Sequence, residues 1–371
     1  MAEKKISKQK AGKDSTQLNA NNIIINNGPS ENEIREIVRS EANRILAEAN
    51  ESARQIINTR MNTFADILID RLIESNLLGA FRDPAMFFLL RKAQEVAACT
   101  DSKTDYDILS ELILYRAEHP NDKDTAAAIK KAISEMDNIS ENALNALTIA
   151  FSIIAFTPIT GSIEDGLKAI DTLFSKLLNK ITLPCDTNWI DNLEVVNAIR
   201  INQIGHLKKY EEIAQANFSG YFVLGIKKDS ENLKKAKDLL KTNNIPVEIL
   251  VDNIICDGYA RIAIPSLNKL NNIGLISSKT GQLDKFTIKQ IKALKNVVDL
   301  YTKSGDDYEK MKNNFNMLLS NYKSIATIKE WWDEIVKSDF SFSVTPIGRV
   351  LANTNARRID PSLPDLNNKP S

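Results

Sequence analysis

Between Ser30 and Asn76 the chain contains neither proline nor glycine, and its apolar side chains return every 11 residues. Ile34, Ile45, Ile56 and Ile67 share one register, Ala42, Ala53 and Phe64 a second, Val38 and Ala49 a third. A hendecad repeat, about 3.67 residues per turn, keeps a narrow apolar stripe nearly straight along a helix. Glu31, Arg35, Glu41, Arg44, Glu51 and Arg54 interleave with it as solvated faces. Ser30-Glu31-Asn32-Glu33 opens the run as a capping box, with the serine oxygen and the glutamate carboxylate each taking a free amide. At about 1.5 Å per residue the pattern predicts a helix of roughly 70 Å, too long for one small domain to cover. Its first half is therefore expected to pack on a second copy through Ile34, Val38, Ile45, Ala49 and Ile56. The alternative is a long helix lying across its own domain.

Upstream, residues 17–28 contain Ile23, Ile24 and Ile25 followed by Asn26-Asn27-Gly28, a β-branched run closed by a turn signal. One strand is expected there. With a helix next in the chain, its ladder has to come from a distant segment or from another copy, since an unpaired strand edge leaves amides and carbonyls unsatisfied. Residues 1–16 carry five lysines, from Lys4 to Lys13, and are expected to form a mobile basic arm.

Downstream, residues 79–212 read as a helical bundle. Its helices are expected around Phe87–Leu90, Ile108–Tyr115, Ala126–Met136, Ala143–Phe156 and Ile163–Leu178, with breaks at Asp83-Pro84, His119-Pro120, Thr157-Pro158 and Gly161-Ser162. The apolar run Ala143–Phe156 is shorter than the about 20 residues that a spanning helix needs and reads as a buried core helix. Residues 213–359 are more mixed. Strand character appears at Asn217–Ile226 and Pro246–Val251, with a lysine-rich helix Ser230–Leu240 between them and a capping box at Thr287–Gln290. Leu267–Ile276 and Phe342–Gly348 look like the helix-to-wing and closing segments of a winged helix, separated here by a long insertion. Residues 360–371, rich in proline and polar side chains, are expected to be disordered. The fold class is thus mainly α: a long N-terminal helix and a helical bundle, then a smaller α+β, partly winged-helix-like region.

Composition narrows the chemistry. Lys and Arg total 48, Asp and Glu also 48, so any nucleic-acid or membrane affinity has to come from a local patch. The 3 cysteines, Cys99, Cys185 and Cys256, have no metal-site spacing and read as buried free thiols, which with the absence of a signal-like N-terminus points to the cytoplasm. No P-loop, GxSxG or HExxH pattern is present. His119 and His206 read as surface or capping residues rather than general bases. Glu248, Asp252 and Asp257 are the acids that a metal-dependent nuclease would gather, but no lysine follows at the spacing such a site uses. Arg349, Arg357 and Arg358, beside Asn353 and Asn355, are the candidate phosphate contacts; a solvated helix is the competing reading. Trp331 and Trp332 face about 100° apart on one helix, so one is expected in the core and the other at a contact surface.

The segment Gln9-Lys-Ala-Gly-Lys-Asp-Ser-Thr-Gln17, the isoleucine strand ending at Gly28 and the capped helix from Ser30 together resemble the opening of a poorly characterised bacterial family often associated with anti-phage defence loci. Lys13-Asp14 departs from that pattern, in which the aspartate follows the glycine directly. Val344 to Arg358 is similar to the ending of the same group. The resemblance implies a bacterial cytosolic protein that assembles and responds to infection, and it implies no catalytic residues. The expected function is a non-enzymatic, homo-oligomeric helical interaction protein without a cofactor or a resting membrane contact. Its expected partner is another copy; a further protein partner is left open, and nucleic acid is disfavoured. A winged-helix DNA-binding regulator and a metal-dependent nuclease or other effector are the alternatives.

Overall fold

The computed structural model describes residues 29–48, 51–158, 160, 162–264, 274–276, 283–338 and 340–366. The protein is mainly α-helical, as its periodicity requires. The predicted 70 Å helix, however, is two helices, α1 (Glu31–Glu48) and α2 (Glu51–Glu74). They run antiparallel: α1 packs on α2 and on the 3-10 turn Leu78–Arg82 that follows the end of α2. Gln94 Nε2 also donates to the Val38 carbonyl at 3.0 Å, which fixes α1 against the next helix. The 11-residue stripe serves two antiparallel arms as well as one straight helix, and no proline or glycine marks the reversal. The Ser30–Glu33 capping box forms as its residue types demand, with the Ser30 amide donating to Glu33 at 2.7 Å.

Five helices follow where the sequence places them: α3 (Pro84–Cys99), α4 (Lys103–Glu118), α5 (Lys123–Glu135), α6 (Glu141–Ala155) and α7 (Ile163–Leu178). Each is started by an N-cap side chain that accepts a backbone amide, from Asp83, Ser102, Asp122, Ser140 and Ser162 in turn. Such caps contribute about 1 kcal/mol each. Helix α6 is buried from Ala143 to Ile153, its Thr148 and Ser152 hydroxyls donating to the preceding turn. No helix among the described residues is long and apolar enough to cross a membrane.

The chain continues through α8 (Asn188–Val195), β1 (Ile199–Asn202) and α9 (Tyr210–Asn217). The stretch read as a strand after Asn217 is instead a buried turn, with Phe218 and Tyr221 in the core and only Ile226–Lys227 extended, as β2. A smaller module then begins: α10 (Glu231–Thr242), β3 (Leu250–Asp252), β4 (Tyr259–Ile262), β5 (Gly274–Ile276), β6 (Leu283–Lys285) and α11 (Ile288–Val298). Its sheet has the order β2-β4-β3, and β5 pairs with β6. It has a core of its own, built on Ile226, Leu240, Ile262, Phe286, Leu294 and Tyr301. The α+β region is therefore an insertion, not the C-terminal third of the protein.

Helices α12 (Asp306–Ser320) and α13 (Lys323–Val336), strand β7 (Ser341–Val344) and helix α14 (Pro346–Ile359) return to the main core. Strand β7 pairs antiparallel with β1, Ile199 opposite Val344, and not with the β5–β6 hairpin. The two segments that suggested a winged helix thus lie in different sheets among the described residues. Helix α14 packs on α4, α5 and α6 and is buried from Val350 to Ala356.

The chain after α14 is packed through Leu366, contrary to the disorder expected from Asp360 onward. Leu363 and Leu366 rest on the main core, and Asn353 Nδ2 donates to the Pro364 carbonyl at 3.2 Å. Lys176 Nζ reaches Asp360 at 2.8 Å. Burial pushes the Asp360 carboxyl up, but the bonds from Lys176 and Ser362 outweigh it and hold it below its ordinary value of 3.8. A depressed folded-state value contributes stability that is present at neutral pH and lost as pH falls below about 4, through the folded pKa. Asp360→Asn is accordingly expected to lower stability at pH 7 and to lessen its decline in acid. Urea unfolding at pH 7 and at pH 3 measures both, and parallel acid curves for the two proteins would contradict the assignment.

Candidate interaction surface

Among the described residues, the α1–α2 hairpin buries side chains against the body at its base. Ile34 and Val38 in the first turns of α1, and Met61, Phe64, Leu68, Ile69 and Leu72 in α2, are buried within this chain. Arg60 marks the limit of that contact, donating to the Ala98 carbonyl at 3.0 Å. Beyond it no described side chain from Ser40 to Thr59 is buried. At about 1.5 Å per residue, arms of this length project roughly 13 Å past the body. Ile45, Leu46 and Ile57 are half-covered there, and Ile56 is 57% exposed. An open groove between the arms is lined by Asn43, Leu46, Ala47, Arg54, Gln55 and Asn58. Ion pairs Arg35–Glu31 and Arg44–Glu41 run along the solvated side.

The structure divides the residues expected to mediate assembly. Ile34 and Val38 are spent on the chain's own core and cannot form part of a free stripe, because the hairpin turns that face inward. Ile45 and Ile56 lie in the projecting part. Ile23, Ile24, Ile25 and Ala49 lie outside the described residues.

The three candidate phosphate contacts do not form a patch. Arg349 is exposed, whereas Arg357 and Arg358 are half-buried. The Arg358 guanidinium donates to Asn355 Oδ1 at 2.9 and 3.1 Å, and burial lowers its affinity for a proton. Asn355, fully buried, passes the connection on by donating to Thr148 Oγ1 of α6 at 2.9 Å. Arg358, Asn355 and Thr148 are thus linked by hydrogen bonds inside the bundle, whereas Arg357 Nε is buried without a partner.

The acids considered for a nuclease are also apart in role. Glu248 and Asp257 are exposed, and Asp252 pairs with Lys228 at 2.8 Å. Among the described residues, the group of acid and histidine ligand atoms that does converge is Glu118, His119 and Asp365. His119 is the C-cap of α4, as its place before Pro120 suggested, but nothing in the sequence brings Asp365 to it. The cysteines differ from expectation as well: Cys256 is buried, but Cys99 and Cys185 are exposed at helix and loop ends.

Neither tryptophan is free at the surface. Trp332 is buried with its indole N–H on the Lys208 carbonyl at 2.8 Å, and Trp331 donates to the Pro184 carbonyl at 3.0 Å while stacking on Trp189.

One protein-family model, described simply as "-like", matches residues 28–368. The chain belongs to that family. The matched span takes in the hairpin, the helical body, the inserted module and the packed segment after α14, so all four are parts of one family unit. Neither the curated proteins nor the solved structures contain a match.

Proposed function

We infer that the protein is a homo-oligomeric helical interaction protein, and that the hairpin tip formed by α1 and α2 is where two copies meet. The observation that carries this reading is the projection of Ile45, Leu46, Ile56 and Ile57 past the body, half-covered or exposed. Two such tips packed side by side bury these side chains in a four-helix arrangement, the ordinary way in which an apolar helix face is closed. The resemblance of both chain ends to a bacterial group found near anti-phage loci supports a role for the assembly in defence.

Ile56 is the discriminating position because it is the exposed one, whereas a charge at Ile45 would also disturb the hairpin itself. Burying an isoleucine contributes about 1.5 to 3 kcal/mol. Ile56→Glu is expected to weaken association at least about tenfold per copy and to leave the helical circular dichroism unchanged. Native mass measurement of the full chain over a concentration series reads the outcome; a wild-type monomer at every concentration, or an oligomer indifferent to Ile56→Glu, rejects this surface.

A further inference from the structure

Helix α4 ends at Glu118, and the ring of its C-cap, His119, lies against the chain that follows α14. His119 Nδ1 is 3.0 Å from the Tyr115 carbonyl. A carbonyl only accepts, so Nδ1 carries the hydrogen. Nε2 lies 3.4 Å from Asp365 Oδ2. Either a proton on Nε2 or a metal ion bridges such a pair, and the distance separates the two. A proton would draw them to the about 2.7–2.9 Å of a charge-assisted hydrogen bond. A separation of 3.4 Å instead matches the edge of a tetrahedron whose metal–ligand bonds are about 2.0–2.1 Å long.

The surroundings extend the argument. Glu118 supplies a third ligand atom, and all three lie within 4.8 Å of one another. The other carboxylate oxygen of Asp365, Oδ1, is buried without a hydrogen-bond partner. So is the hydroxyl of Tyr115, a residue only 7% exposed, and the two face each other as donor and acceptor rather than as two free groups. Its ring stacks on His119 with centroids 4.5 Å apart, and its phenol faces Asp365. A metal site needs a donor of this kind behind its carboxylate ligand. Asn353, by holding the Pro364 carbonyl at 3.2 Å, sets the position of the residue before Asp365.

We propose that Glu118, His119 and Asp365 bind one zinc ion, with the buried Tyr115 hydroxyl orienting Asp365 from behind. One imidazole and two carboxylates suit zinc at such distances, and three protein ligands leave a fourth position to water. The ion ties the segment after α14 to the end of α4, two parts of the chain that the sequence keeps far apart.

Equilibrium dialysis of the full chain against zinc alone, with the bound metal quantified, tests this. The exposed Cys99 and Cys185 are first replaced by serine so that thiols do not contribute. One zinc per chain is expected, with affinity at least tenfold weaker in Asp365→Asn and in Glu118→Gln, and about tenfold weaker in Tyr115→Phe. His119→Ala is expected to abolish binding; because it also removes the Tyr115 carbonyl contact, the Asp365 and Glu118 variants, checked as folded by circular dichroism, decide the matter. Zinc is also expected to raise the melting temperature of the parent but not of Asp365→Asn. Absence of stoichiometric zinc, or equal affinity in folded Asp365→Asn, overturns the site.

Discussion

Gly348→Ala is expected to lower stability by about 3 kcal/mol, the upper part of the range for forcing an atom into a packed interior. The position is the third residue of α14, where the helix crosses the end of β1. A Cβ there would lie 2.0 Å from the Ala198 carbonyl oxygen and 2.9 Å from the Val344 side chain. The Ala198 carbonyl cannot retreat. It accepts from the Thr345 amide at 3.0 Å and from the Thr345 hydroxyl at 3.0 Å, while that same hydroxyl receives the Gly348 amide as the N-cap of α14. Relieving the clash means moving the helix that fills the centre of the bundle. For a chain of 371 residues the expected fall in melting temperature is roughly 4 °C. A melting point within a degree of the parent would show that α14 shifts away from Ala198 at little cost.

The second large effect is expected at Trp332. Its side chain is 1% exposed, and it packs on Trp331 and on Phe342 of β7. Trp189 of α8 completes the group by meeting Phe342 edge-on. These rings join α13 and α8 to the β1–β7 ribbon, two strands that would be marginal without a packed face. Truncating a buried tryptophan to alanine costs about 3–5 kcal/mol, and here it also strands the Lys208 carbonyl that accepts the indole hydrogen. Trp331→Ala removes a half-buried ring and is expected to cost less. Denaturant unfolding of the two variants side by side gives the comparison, and equal losses would contradict the difference in burial.

The parts of this fold that were legible in the sequence are those whose signal is local. Helices α3 to α7 could be read because apolar spacing and an N-cap residue agree within each one, and the capping boxes at Ser30 and Thr287 formed as their residue types require. What was hidden depends on partners far along the chain. Arg358, Asn355 and Asn353 read as a solvated face because polarity does not reveal that Thr148 and Pro364 will receive their hydrogen bonds. The hairpin was read as one helix because antiparallel arms and a continuous rod share a period. For the candidate sites, Ile45 and Ile56 were visible as apolar positions, but only the position of Arg60 shows where the body ends and the free tip begins. His119 gave a cap signal and no more, since Asp365 reaches it through the packing of Leu363 and Leu366.

The inserted module leaves and rejoins the helical body at one point. Gly225 and Thr302 form a β-bridge there, with the Thr302 amide on the Gly225 carbonyl at 2.8 Å. Gly225 adopts φ +85°, and an added Cβ would meet the Ala260 carbonyl at 2.2 Å, so the junction admits glycine alone without rearrangement. A long excursion between two halves of a core ordinarily slows folding, because its ends have to find each other before the core can reward them. Here the excursion closes itself. Once its own hydrophobic centre has formed, the chain before and after it behaves as though joined by a short turn, so a self-closing module lowers the entropic cost of bringing α12, α13 and α14 onto the larger core.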